Sequence, residues 1–165
     1  MKKTIFSVIV LAILFSSCNR QKAVAFNDKI ANLSNQLYYK GKEVAPILQT
    51  ALSTHDFSTL AKPIEELQKM TTDDLTEVAA MENVAGSENL KSVSIEYFKY
   101  EKSLIDDAFV PFKNMNSNTT ADEINAATQK LIEAAKDEQT YLDKVKDAQE
   151  EYGKKNGFKI ETPKS

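Results

Sequence analysis

Apolar residues recur every three or four positions along most of this chain, a spacing that predicts helices rather than strands. The spacing continues over several turns in residues 26–53, 57–84, 88–114 and 121–155, and only short segments separate these stretches. Long helices joined by short loops pack as antiparallel neighbours. The predicted fold is therefore all-α, an up-down-up-down four-helix bundle.

Local signals indicate where several of these helices begin and end. Ser87 is expected to be the N-cap of the third helix. Thr120 and Glu123 have the spacing of a capping box, which predicts the start of the fourth helix. Gly157 is expected to end that helix, with Phe158 folding back onto it.

Proline is expected to kink a helix because it lacks an N–H donor and its ring clashes with the preceding turn. Three prolines fall within the predicted helices: Pro46, Pro63 and Pro111. Pro63 followed by Glu65 and Glu66 also offers an alternative start for the second helix, since proline and acidic residues favour a first turn. A break near residues 71–74 is a further alternative, because Thr72 could cap a fresh start.

The N-terminus has the organisation of an export signal. Lys2 and Lys3 precede an apolar stretch from Ile5 to Phe15 that only Ser7 interrupts. The stretch is shorter than the roughly 20 residues of a membrane span, and its length fits the apolar region of a signal peptide. Residues 1–17 are therefore expected to be removed on export.

The residues around the only cysteine resemble the lipobox of bacterial lipoproteins, here Leu14-Phe15-Ser16-Ser17-Cys18, although Phe15 is bulkier than usual. The resemblance implies diacylglyceryl transfer to Cys18, cleavage before it and acylation of the new α-amine. Two or more acyl chains anchor a protein stably in a membrane. The alternative is an ordinary secretory signal followed by an unrelated cysteine. The position of Cys18 favours lipidation.

The mature chain left by cleavage would consist of a lipidated tether at 18–25, a helical bundle at 26–157 and a C-terminal tail at 158–165. Cleavage would also remove two lysines and no acid, which changes the net charge from −3 to −5. No acidic run follows the cysteine. We therefore expect a cell-envelope protein, anchored to the outer membrane and facing the periplasm.

Two segments, residues 90–101 and 148–158, resemble a diffuse family of small four-helix bacterial lipoproteins with no established activity. The resemblance rests on common residue types and covers most of the mature chain in pattern. It implies the four-helix fold and implies no function.

Composition argues against several kinds of chemistry. The negative net charge offers no field for nucleic acid. His55 is the only histidine, so no di-iron, zinc or histidine-dependent nucleophilic site is expected. Adjacent acids such as Glu65 and Glu66 point about 100° apart on a helix and are expected to be solvated. We expect no enzymatic activity, metal or cofactor.

One set of polar residues follows the apolar spacing inward. Lys40, Glu101 and Glu138 lie near the middle of three predicted helices, so antiparallel packing could bring them into one buried layer. Tyr97 and Tyr141 could supply hydroxyl groups there. Two acids against one lysine would leave one acid protonated or in contact with water. The alternative is that the helices rotate these residues towards solvent.

These features predict a lipid-anchored, non-enzymatic envelope protein that acts as a structural or interaction module, with the membrane and an unidentified envelope protein as partners. The alternative is a periplasmic helical bundle that binds a small ligand, motivated by the six tyrosines and the buried polar layer. A cavity in the bundle would favour ligand binding. An exposed apolar patch of more than a few hundred Å² would favour a protein partner.

Overall fold

The computed structural model describes the backbone of residues 3–160 and the side-chain environments of residues 19–160. All regular secondary structure in this range is helical, which confirms the all-α class. The elements are α1 (Lys3–Thr54), α2 (Ala61–Ala80), α3 (Glu88–Leu104), a π-helical turn (Ile105–Phe109), α4 (Val110–Lys113), α5 (Ala121–Ala135) and α6 (Glu138–Lys155). The four predicted helical blocks correspond to α1, α2, α3 to α4, and α5 to α6.

Helix α1 begins well before residue 26 and includes the segment 18–25 that was expected to be a tether. No glycine or proline interrupts this segment, and Ala23 is completely buried. Ala23 continues the spacing of Phe26 and Ile30, so the core begins closer to Cys18 than predicted. The side chains of the predicted signal peptide and of Cys18, and residues 161–165, lie outside the described part of the chain.

Helix α2 is shorter than predicted and begins at Ala61. Pro63 therefore lies in the first turn, where a missing N–H breaks no intrahelical bond, and the expected kink within α2 is wrong. The alternative break near 71–74 is also wrong. The hydroxyls of Thr71 and Thr72 donate to backbone carbonyls one turn earlier, within a continuous helix.

Pro111 follows the π-helical turn. The N–H of Val110 donates to the carbonyl of Ile105, five residues earlier, and Pro111 itself has no N–H to donate. The wider turn is thus the structural response to this proline. Pro46 lies inside α1, where its carbonyl accepts a hydrogen bond from the Thr50 hydroxyl at 2.9 Å.

The fourth predicted block is divided at residues 136–137 into α5 and α6. The hydroxyl of Tyr100 on α3 donates to the carbonyl of Ala134. In a continuous helix this carbonyl would accept from the N–H of Glu138. The tyrosine therefore takes over an acceptor that continuous helix would use, and α6 starts afresh at Glu138.

The predicted caps of this block are confirmed. Glu123 N–H donates to Thr120 Oγ1 at 3.3 Å, and Thr120 N–H donates to Glu123 Oε2 at 2.8 Å. At the other end Gly157 has a φ of +72°, and Phe158 N–H donates to Gly153 O at 2.9 Å. Ser87 occupies the predicted N-cap position, but its hydroxyl accepts from the N–H of Val84 instead of capping α3.

The core consists of two apolar clusters. The first surrounds Phe98 and joins the first part of α1 to α2, α3 and α6. The second surrounds Phe112 and joins the last part of α1 to the start of α2, to α4 and to α5.

None of the helices, as far as the structure describes them, has a segment that is both long and apolar enough to cross a bilayer.

Candidate functional site

A cavity of about 470 Å³ lies where the two core clusters meet. Helix α1 forms one wall, α3 with the π-helical turn forms the floor, and the α5–α6 junction forms the opposite wall. Its lining is predominantly apolar and includes Leu37, Leu48, Leu52, Leu104, Phe109 and Leu131. Its volume falls within the roughly 300–1,000 Å³ of small-molecule sites. The exposed lining residues Lys42, Ala45 and Gln49 of α1 mark its mouth.

Glu101 lies at the floor of this cavity. Only 5% of the residue is exposed, and its Oε1 atom has no hydrogen-bond partner. Burial, assisted by the nearby charge of Glu138, raises the pKa of the Glu101 carboxyl to about 8, while the hydroxyl of Tyr97 acts in the opposite direction. A buried acceptor without a partner is costly. This carboxyl is therefore the least satisfied polar group of the cavity.

Glu138 lines the cavity from the opposite wall. It is the first residue of α6 and is partly buried. Burial raises the pKa of its carboxyl above the ordinary value. The structure thus brings two of the predicted acids, Glu101 and Glu138, to one cavity.

The two predicted tyrosines differ in their positions. Tyr97 is 3% exposed, lines the cavity one turn before Glu101, and has a pKa raised by burial. Tyr141 instead stacks on Tyr100, with ring centroids 4.4 Å apart and planes at 17°. Tyr141 supports the helix junction from outside the cavity lining.

Lys40 does not join the acids. Its ammonium contacts Glu66 of α2 at 2.6 Å and Glu43 of α1 at 3.2 Å, and these hydrogen bonds raise its pKa. The lysine side chain is long enough for its ammonium to reach α2 although its Cα lies on the core-facing side of α1. The apolar spacing of the sequence does not predict where such a long side chain ends. No ion pair of the described residues includes Glu101 or Glu138. The buried layer therefore carries acids without the predicted lysine.

Asp74 is a buried acid that sequence reasoning missed. It is 5% exposed, its Oδ2 atom has no hydrogen-bond partner, and burial raises its pKa to about 6. Asp74 follows Asp73, and adjacent acids on a helix were expected to be solvated. The spacing of Leu67, Thr71, Asp74 and Val78 on the buried side of α2 was the signal that could have identified it.

A second cleft, of about 1,000 Å³, lies between α1 and α6. Its lining is mixed and includes many exposed polar residues, such as Arg20, Asn35 and Gln139. Two buried oxygens, Asn27 Oδ1 and Ser34 Oγ, have no protein partner in this region. Because many of its lining side chains are polar and exposed and none of them is a buried charge, this cleft is a weaker candidate for a ligand site than the smaller cavity.

In the part of the chain that the structure describes, no group of three His, Cys, Asp or Glu side chains is arranged to hold a metal ion. His55 lies exposed in the turn after α1, with a φ of 58°. This left-handed conformation is one that histidine adopts more often than most residues.

Comparison of the chain with protein-family models, with curated proteins and with solved structures gave no match.

Proposed function

We propose that this chain is a non-enzymatic, lipid-anchored protein of the bacterial cell envelope whose helical bundle binds a small ligand in the cavity between α1, α3 and the α5–α6 junction. The observation that carries the ligand-binding part is the unpartnered, buried carboxyl of Glu101 at the floor of an apolar cavity. A site with apolar walls and a few converging polar groups is typical of ligand-binding proteins.

The surface gives less support to a module that only binds another protein. Large exposed apolar side chains in the described region are few: Tyr38, Tyr39 and Ile132. Two of these lie beside each other on α1, next to the mouth of the cavity, with ring centroids 5.5 Å apart. The cavity therefore gives more support to ligand binding than to a module that only binds another protein.

We also propose that the helices are arranged as an up-down-up-down bundle. Two ion pairs support it for α1 and α2: Lys29 contacts Glu77 at 2.5 Å, and Lys40 contacts Glu66 at 2.6 Å. The residue numbers rise on one helix as they fall on the other, as antiparallel packing requires.

The same reasoning supports antiparallel packing of α3 against the last two helices. Asn89 donates to Glu151 at 3.4 Å, and Tyr100 donates to the carbonyl of Ala134.

The proposed membrane attachment follows from the export signal and lipobox, which end at Cys18. The end of the bundle nearest Cys18 carries five exposed cations: Arg20, Lys22, Lys154, Lys155 and Lys159. Exposed acids near them include Glu82 and Glu88. Exposed cations next to a lipid anchor favour contact with anionic phospholipids, by about 1 kcal/mol per cation near the surface, and the neighbouring acids oppose this effect. We place the protein on the outer membrane, facing the periplasm.

The proposed ligand binding is tested on the full-length lipoprotein, extracted mildly from cells and analysed by native mass spectrometry. We expect the wild-type protein to carry a small noncovalent ligand. Ala45→Trp, which places an indole at the mouth of the cavity, should reduce its occupancy strongly. Ala79→Trp provides the matched control, because Ala79 is exposed on α2 away from the cavity.

Equal ligand occupancy in the two tryptophan variants would contradict binding in this cavity. A wild-type protein without any bound small molecule would contradict the ligand-binding proposal and favour an envelope protein partner.

A further inference from the structure

We infer that the ligand is an elongated amphiphile with a primary ammonium head, which binds between Glu101 and Glu138 while its apolar tail extends along α1. This inference rests on the proposed ligand-binding function and specifies the chemical class. Its basis is the distribution of polar and apolar groups within the cavity.

The polar groups lie at one end of the cavity. Tyr97, Glu101 and Glu138 lie there with Leu37 and Gly41 of α1. Farther along α1, towards the second core cluster, the lining is predominantly apolar, with Leu48, Leu52, Leu131 and Phe109 and with the exposed Gln49 at the mouth. Residues 37–52 of a helix span about 22 Å. A ligand that matches this shape has a polar head and a long apolar body.

The head is cationic because the polar end contains two acids and no balancing protein cation. Lys40 is held by Glu66 and Glu43. Lys42 lines the mouth, where its ammonium lies 5.4 Å from the centroid of the Tyr38 ring. An anionic head would find no cationic partner at the floor, and a quaternary ammonium could not donate a hydrogen bond to the free Oε1 of Glu101.

A primary ammonium has three N–H donors. The polar end has three acceptors that could receive them: the carboxylates of Glu101 and Glu138 and the hydroxyl oxygen of Tyr97. Charge-assisted hydrogen bonds are stronger than those between neutral groups. One ligand group would then satisfy the orphaned carboxylate and neutralise the charge that burial disfavours.

Binding should also release a proton from the site. The titratable groups that interact with the Glu101 carboxyl are Tyr97 and Tyr100 on α3 and Glu138 on α6, and Lys42 on α1 lines the same cavity at its mouth. The pKa of Glu101 is about 8 in the free protein, so its carboxyl must lose a proton to pair with an ammonium ion near neutral pH. The affinity for an alkyl amine should therefore increase from pH 6 to pH 8.

The test uses the full-length lipoprotein in phospholipid nanodiscs, and the heats of the same titrations into nanodiscs without protein are subtracted. Calorimetry at pH 7.5 compares four probes with the same eight-carbon tail: octylamine, octyltrimethylammonium, octanol and octanoate. We expect octylamine to bind at least about tenfold more tightly than each of the others. Its binding should release protons, measured by repeating the titration in buffers with different ionisation enthalpies.

Glu101→Gln and Glu138→Gln should each weaken octylamine binding at least about tenfold and should leave octanol binding nearly unchanged. Glu96→Gln provides the matched control, because Glu96 is exposed on α3 and does not line the cavity. It should bind all four probes like the wild type.

The outcomes separate this inference from the proposed function. Equal affinity for octanol and octylamine, or undiminished octylamine binding in both glutamine variants, would overturn the ammonium head and leave an apolar ligand site. Tighter binding of octanoate would overturn the sign of the charge. Absence of binding by all four probes would contradict the ligand site itself.

Discussion

Glu101 shows most clearly how a single residue links the fold to the proposed function. Its carboxyl lies at the polar end of a predominantly apolar cavity and forms no ion pair. A buried acid of this kind lowers the stability of the folded protein whenever it is ionised. Residues that reduce stability in this way are found at functional sites, where a ligand supplies the missing interaction.

The folded state should consequently lose stability as pH rises. Burial raises the pKa of the Glu101 carboxyl from its ordinary value of 4.5 to about 8 in the folded state. The folded state therefore retains a proton that the unfolded chain releases between these two pH values. Asp74, with a pKa of about 6, acts in the same direction over a lower range. Urea unfolding between pH 5 and pH 8 should show this loss, and Glu101→Gln should reduce it by a few kcal/mol.

Glu96→Gln is the control for this prediction, since Glu96 is exposed on the same helix. It should keep the pH dependence of the wild type. The same pH dependence in Glu101→Gln and in the wild type would show that Glu101 is not buried as an unpaired acid.

At the scale of secondary-structure elements, the ends of helices with strong local signals were predictable from the sequence. The capping box of Thr120 and Glu123 and the glycine end at Gly157 each involve residues within a few positions of one another. The division of the last block depends on Tyr100, which lies 34 positions from Ala134 in the chain. Sequence periodicity contains no information on such a distant hydrogen bond.

The candidate site was predictable to a similar extent. The apolar spacing correctly indicated inward positions for Glu101 and Glu138, because helical periodicity determines which side of a helix a residue occupies. It did not determine the destination of the Lys40 ammonium, which depends on the position of Glu66 on another helix. It also could not predict the cavity, since a void depends on how far apart the packed helices lie.

Two glycine substitutions separate the effects of backbone conformation within one fold. Gly41 lies inside α1, and an added Cβ would meet nothing within 4 Å, so Gly41→Ala should stabilise the protein by about 0.5–1 kcal/mol. Gly157 also has free space, but its φ is +72°, so Gly157→Ala should destabilise by about 1–2 kcal/mol. Chemical denaturation measures both changes. Effects of the same sign would contradict the assigned backbone conformations.

At the scale of the whole molecule, the helical segment after Cys18 would hold the bundle close to the membrane. With Ala23 already buried in the core, only about one turn of helix separates the anchor from the packed bundle. The exposed cations near this end, among them Arg20 and Lys155, would then face the lipid surface.

Lipid attachment is tested by labelling cells with a radioactive or clickable fatty acid. The wild-type protein should incorporate the label at Cys18, and Cys18→Ser should abolish it because the acceptor thiol is lost. Ser17→Ala keeps a small residue before the cysteine and should be labelled like the wild type. Undiminished labelling of Cys18→Ser would contradict the proposed anchor.

The most direct test of the central claim is where a bound amphiphile lies in the protein. Nuclear Overhauser contacts between octylamine and the methyl groups of the isotopically labelled lipoprotein in nanodiscs would locate it. We predict contacts from its tail to Leu48, Leu52 and Leu131, which line the apolar end of the cavity. Contacts confined to Leu142 and Val145, in the larger cleft between α1 and α6, would contradict this account.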